Sequence, residues 1–255
     1  MSKLITADTC STGWIYAVQH LLASGGDCFN LIIEIEKPTL EHAEVRRLLE
    51  TFLEQSERKP VDEVANTIFP KSLYFPSLGR KHLYSSYEMA WPLIRLFNNR
   101  WGTYFYRMIH WEKDESPLNQ LEDTIGKLRR TSSGKPKYRS IYEVSIYCPN
   151  NDSHISRGGP CLSHLSFKLV DDKLHLTVVY RNHFYIERAY GNFIGLGRLM
   201  EFVAKESGIS VGRLTCISTH AELDAGKQAA TKLLKECIDT IPEINEAKQC
   251  IQSNE

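Results

Sequence analysis

The stretch from Gly158 to Arg198, GGPCLSHLSFKLVDDKLHLTVVYRNHFYIERAYGNFIGLGR, decides the fold. Leu165, Phe167 and Leu169 alternate with Ser166 and Lys168, and Leu174, Leu176, Val178 and Tyr180 alternate again beyond Asp171-Asp172. That period of two around a polar turn predicts a half-buried hairpin. Cys161 then stands where a loop becomes a strand, and Arg181 where the second strand ends. Asn192 opens the segment Phe193, Ile194, Leu196, Leu199, Met200, Phe202, Val203, whose spacing is helical. A thiol, a guanidinium and a carboxamide can therefore converge on one cleft.

The rest of the chain limits what that cleft can do. With 255 residues, of which 42% are hydrophobic and 24% charged, the composition predicts one globular domain over residues 1–255 with a substantial core. Lys+Arg and Asp+Glu both number 31, so no global basic field recruits nucleic acid or an anionic membrane, and any anion site must be local. No apolar run has the length of a signal peptide core or a membrane span, which predicts a cytoplasmic location. Seven scattered cysteines without a C-x-x-C pair disfavour disulfides and structural zinc, and the nine histidines lack metal-ligand spacing, so no metal is expected. Gly191, Gly195 and Gly197 do not form G-x-G-x-x-G after a strand, so a dinucleotide cradle is unsupported.

Along the chain, Trp14 to Leu22 recur at helical spacing up to Ser24-Gly25-Gly26, and Phe29 to Ile35 reads as a strand ended by Pro38. Thr39 is the expected N-cap of a helix through Leu53. A second helix runs through Tyr87 and Phe97, with Pro92 kinking or ending its first part. Trp101 to Arg107 is an aromatic run, Leu118 to Leu128 a helical face, and Ile141 to Ile146 a strand. Val211 to His220 reads as a further strand and Ala225 to Cys237 as a closing amphipathic helix.

Several ordered pieces of this chain resemble thymidylate synthase, in particular its shorter archaeal-type branch. They are Gly159-Pro160-Cys161, Lys173 to Arg181, Tyr190-Gly191-Asn192-Phe193-Ile194-Gly195-Leu196 and Ser218-Thr219-His220. The resemblance is good from about Tyr138 to His220 and covers only the general layout before that. It implies an α/β (α+β) fold with one mixed sheet, helices on one face, and a sheet-to-sheet homodimer. It implies a pyrimidine nucleoside monophosphate, dUMP by preference, as substrate and 5,10-methylenetetrahydrofolate as carbon donor. By the same likeness Cys161, Tyr104 and Asn192 are catalytic, Arg181, Asn182 and His220 bind the nucleotide, and Arg139 reaches the phosphate bound by the partner subunit. The aromatic run that holds Tyr104 would equally suit core packing.

The chemistry fits these residue types. Carbon 5 of uracil becomes nucleophilic only after the ring's conjugation is broken, and a thiolate adding at carbon 6 does that, splitting one hard step into easier ones. A free thiol of pKa ~8.5 is only partly ionised at neutral pH, so a guanidinium such as Arg181 would aid the thiolate. Asn192 carries a donor and an acceptor, which suit O4 and N3–H of uracil. Two departures from the family pattern stand out: Phe184 replaces an aspartate that contacts the pterin, and Glu222 replaces a tyrosine near the sugar. They leave two expectations side by side, a one-carbon transferase acting at carbon 5 by methylation or hydroxymethylation, and a nucleotide-binding relative without folate chemistry.

Overall fold

The protein is described by a computed structural model covering residues 2–97, 101–111, 117–132, 138 and 140–241. It is a mixed α/β structure built on a seven-stranded sheet whose strands lie side by side in the order Lys3–Thr9, Asp27–Lys37, Ser210–Glu222, Lys173–Tyr180, Leu162–Val170 and Glu143–Ser145, with His183–Phe184 also paired to Ser210–Glu222. The chain enters through β1 (Lys3–Thr9), α1 (Cys10–Ala23) and β2 (Asp27–Lys37), and β1 and β2 run parallel because a helix connects them. Thr9 starts α1 by accepting from the Thr12 backbone at 3.3 Å while Thr12 Oγ1 accepts from the Thr9 backbone at 3.0 Å.

Next come α2 (Ala43–Gln55), α3 (Val61–Ile68), α4 (Gly79–Ile94), α5 (Tyr104–Ile109) and α6 (Gln120–Ser132). Two expectations fail here. Thr39 caps nothing, because residues 39–42 are tied to the start of α1: the Cys10 N–H donates to the Leu40 carbonyl at 3.1 Å and the His42 N–H to Ser11 Oγ at 2.8 Å, so α2 begins four residues later. Helix α3 was not foreseen, although Val61, Val64, Ala65 and Ile68 make one buried face behind Pro60. Pro92 lies inside α4, whose end passes into a 3₁₀ turn over Arg95–Phe97.

The second half holds β3 (Glu143–Ser145), α7 (Pro149–Asp152), β4 (Leu162–Val170), β5 (Lys173–Tyr180), β6 (His183–Phe184), α8 (Tyr190–Ser207), β7 (Ser210–Glu222) and α9 (Lys227–Asp239). The hairpin β4–β5 turns on Asp171 and Asp172, both with positive φ (48° and 56°), as a tight hairpin turn demands. Leu174, Leu176, Val178 and Tyr180 bury one face of β5 beneath α8, a helix buried almost all round. On the opposite face Ile32, Thr177, Val179, Thr215 and Ile217 are only half-buried. Arg213 with Glu34 and Glu36, and Glu143 with His164 and Lys168, place ion pairs on strands of that face.

Two short interruptions make the site. Strand β6 continues the line of β5 along β7, since Tyr180 pairs with Ser218 and His183 with Ala221, and between them Arg181 and Asn182 leave the ladder. A π-helical turn, Tyr185–Ala189, then joins β6 to α8, a kind of irregularity that often marks functional positions.

Candidate active site

One cavity of about 840 Å³ collects the chemistry-bearing residues, with Tyr104, Cys161, Arg181, Asn182 and Asn192 all in its wall. Sequence positions 104 to 192 meet there because Cys161 precedes β4, Arg181 follows β5, and the Arg181 N–H donates to the Cys161 carbonyl at 2.8 Å. The Arg181 guanidinium donates from Nη2 to the Pro160 carbonyl at 2.7 Å and lies 4.6 Å from the Tyr147 ring centre. These contacts hold it beside the turn that carries Cys161 while it still faces the cavity.

Cys161 is half-buried, and the nearest acceptor for its thiol is the Gly159 carbonyl at a long 4.0 Å. Burial pushes the thiol pKa up, and Arg181 and then Arg188 pull it back without cancelling the burial. The expected help from Arg181 is thus present in direction, shared with Arg188, and outweighed by burial. Tyr104, the first residue of α5, accepts from the Leu162 N–H at 3.4 Å, next to the nucleophile. Burial, then the neighbouring Cys161, raises its pKa, so the phenol stays protonated and able to donate.

Asn192, in the first turn of α8, is buried and its Nδ2 lies 3.0 Å from His183 Nε2. Asn182 accepts at Oδ1 from His220 Nδ1 at 2.6 Å, leaving its amide nitrogen for the cavity. His220 itself is not in the cavity wall. It stacks near Phe29, ring centres 5.0 Å apart, lies 3.6 Å from Asp27, and is hydrogen-bonded to Asn182. Arg139 lies outside the described residues.

The wall also holds residues that the sequence reading did not single out: Lys59 from the α2–α3 connection, Arg157, Arg188 on the π-helical turn, and His183. Lys59, Arg157, Arg181 and Arg188 put four cations in the wall against one carboxylate, Glu222, so a chain of zero net charge has a locally basic cavity. Phe184 and Glu222, the two departures, are neighbours in register across β6 and β7, and both line the cavity.

A mixed sheet thus brings a cysteine, an arginine and a buried asparagine around one pocket. No protein-family model matches the chain. Curated relatives do match: a protein of Methanosarcina mazei is 31% identical over 121 residues, covering 48% of this chain and 52% of that protein. One of Methanocaldococcus jannaschii is 26% identical over 82% of this chain and 81% of its own, and one of Methanothermobacter marburgensis 20% over 88% and 93%. Each carries the name "Putative thymidylate synthase". The chain is thus similar to archaeal thymidylate synthase-like proteins, at low identity over most of its length or at about 30% over half of it, and it spans about half the length of the first of these relatives. Among the described residues no helix is long and apolar enough to cross a membrane.

Proposed function

We propose that this protein transfers a one-carbon unit to carbon 5 of a pyrimidine nucleoside monophosphate, dUMP by preference, through an adduct between Cys161 and carbon 6. The observation that carries this reading is the convergence of Cys161, Tyr104, Arg181, Asn182 and Asn192 on one cavity lined by cations. Cys161 loses its proton and adds at carbon 6. The enolate charge that develops on O4 is met by the Asn192 amide, a donor fixed in place before reaction. Carbon 5 attacks the electrophilic carbon, whose π pair moves to its heteroatom, and then loses its own proton to solvent. For hydroxymethylation the resulting enolate expels the Cys161 thiolate as the 5,6 double bond re-forms; for methylation the carrier amine would leave first and a hydride from the reduced carrier would fill the exocyclic methylene before the thiolate departs. Arg181 and the Asn182 amide nitrogen hold the phosphate, and the Tyr104 hydroxyl donates near the reacting face.

Methylenetetrahydrofolate would supply that carbon. The wall fits it in part: the aspartate of the family pattern is Phe184, while the Glu222 carboxylate stands beside it in register. An acceptor for a ring with N–H donors is therefore retained on the neighbouring strand, and Phe184 offers an apolar face. The raised Cys161 pKa and the loss of the aspartate favour one second reading, a nucleotide-binding protein without transfer activity.

The homodimer belongs to the same proposal. A half-buried sheet face with Ile32, Val179 and Ile217 at its centre and ion pairs on neighbouring strands suits a second copy, and Arg139 would complete the partner's site.

Calorimetry with dUMP and dCMP tests the substrate class. The wild type should bind dUMP more tightly, and Asn192→Asp should move the preference toward dCMP by about 1–3 kcal/mol, one bidentate base-edge contact. Equal affinities in the wild type would remove the uracil assignment.

A further inference from the structure

Asn192 alone does not choose between uracil and cytosine. Its carboxamide sets one acceptor beside one donor, and half a turn about its last torsion exchanges them. One orientation matches O4 and N3–H of uracil, and the other matches N4–H and N3 of cytosine. Whatever fixes the amide therefore fixes the choice.

His183 is placed to do so. Its Nε2 is 3.0 Å from Asn192 Nδ2, and its Nδ1 is 3.0 Å from Ser218 Oγ. The ring is buried, stacked on Tyr180 with centres 4.0 Å apart and planes 6° apart, and edged by Phe193, so it cannot turn over. Burial drives its pKa down to about 3, so the imidazole is neutral and has one donor and one acceptor nitrogen. The surroundings decide which is which. The Asn192 amide nitrogen can only donate, so Nε2 accepts from it and the ring proton sits on Nδ1, whose partner Ser218 Oγ also lies 3.1 Å from the buried Tyr185 hydroxyl. Ser218 Oγ then accepts from Nδ1–H.

We propose that His183 is the positioning residue that sets pyrimidine specificity, by holding the Asn192 amide in the single orientation that reads uracil and refuses cytosine. This rests on the reading of the cavity as a pyrimidine nucleotide site. The sequence offers His183 no motif of its own, because it acts through a residue nine positions on.

The test measures dUMP and dCMP binding to the intact wild-type chain, His183→Leu and Ser218→Ala. The wild type should favour dUMP by about tenfold or more, the scale of one base-edge contact. His183→Leu frees the amide to rotate, and the ratio should fall to within about threefold, chiefly through gained dCMP affinity. Ser218→Ala lets the imidazole exchange tautomers and should give an intermediate ratio. A folded His183→Leu that keeps the full ratio overturns the proposal and leaves the uracil reading standing. A wild type that binds neither nucleotide, or both equally, overturns the uracil reading itself and this proposal with it. If His183→Leu does not fold, the side-chain ¹⁵N spectrum of His183 in the wild type decides: a protonated Nδ1 with a bare Nε2 supports the proposal, and a protonated Nε2 overturns it.

Discussion

Incubation with 5-fluoro-dUMP and a one-carbon donor is expected to raise the intact mass of the protein by the nucleotide plus the transferred carbon unit with its carrier, and Cys161→Ser is expected to show no increase. Fluorine cannot leave carbon 5 as the proton does, so the adduct stops at the stage where the thiol is still bonded to carbon 6. Among the described cysteines, Cys161 is the one in the wall of this cavity; Cys10, Cys28, Cys216 and Cys237 are buried, and burial lifts Cys216 to about 12. Removing a covalent nucleophile should reduce turnover on the order of 10⁴-fold or more. The pH dependence follows from the raised thiol: adduct formation should accelerate as pH climbs toward and past the thiol pKa, since only the thiolate adds. Because Arg181 and Arg188 both pull that pKa down, Arg188→Gln should slow the reaction at neutral pH and shift its profile upward, with little loss at high pH. Running the experiment with methylenetetrahydrofolate, with formaldehyde and with no donor separates a folate-dependent transferase from a hydroxymethylating one. Protection of Cys161 from alkylation by dUMP with no adduct under any of the three would select the binding reading.

Sequence and structure agree where one short-range pattern carries the fold. The hairpin β4–β5 was legible because every second residue is apolar and the Asp171-Asp172 turn is polar, and α8 because its apolar residues fall at helical spacing. Strand β1 was not, since KLITADT buries only Ile5, Ala7 and Thr9 and looks polar when read alone. Helix α2 starts late for a reason that no local pattern holds, the ties from residues 40 and 42 to the N-terminus of α1. At the site, Cys161, Arg181 and Asn192 were visible through the ordered motifs around them. Lys59, Arg157 and Arg188 were not, because charge at a single position says nothing about which cavity it lines. His220 was read as a ligand contact through the resemblance carried by Ser218-Thr219-His220, and its ring lies behind the cavity wall, bonded to Asn182.

The glycines of α8 give the second large effect, and they show how this helix brings Asn192 into the cavity wall that also holds Cys161. They failed as a phosphate-loop motif, and the structure uses them for packing. A Cβ on Gly191 would lie 2.9 Å from the Val61 carbonyl and one on Gly195 2.7 Å from the Ala65 carbonyl, so α3 rests directly on the backbone of α8. At Gly197 the added Cβ would sit 2.0 Å from the Pro38 carbonyl oxygen. That same carbonyl accepts from the Cys10 thiol at 3.2 Å, which wedges it between α1 and α8 with no room to retreat. Gly→Ala in an open helix interior should stabilise by roughly 0.5–1 kcal/mol, and Gly126 on α6 is such a place, its nearest foreign atom being Arg130 Nη1 at 3.7 Å. Gly197→Ala should instead cost more than about 3 kcal/mol, at or beyond the upper end of overpacking, because the clash is with backbone. That is a large part of a typical stability of about 5–15 kcal/mol. Denaturant unfolding of Gly126→Ala and Gly197→Ala should therefore move the midpoint in opposite directions, although the chemical change is identical. A Gly197→Ala protein as stable as the wild type would mean that α8 does not lie against Pro38, and the placement of Asn192 five residues earlier on the same helix would lose its support.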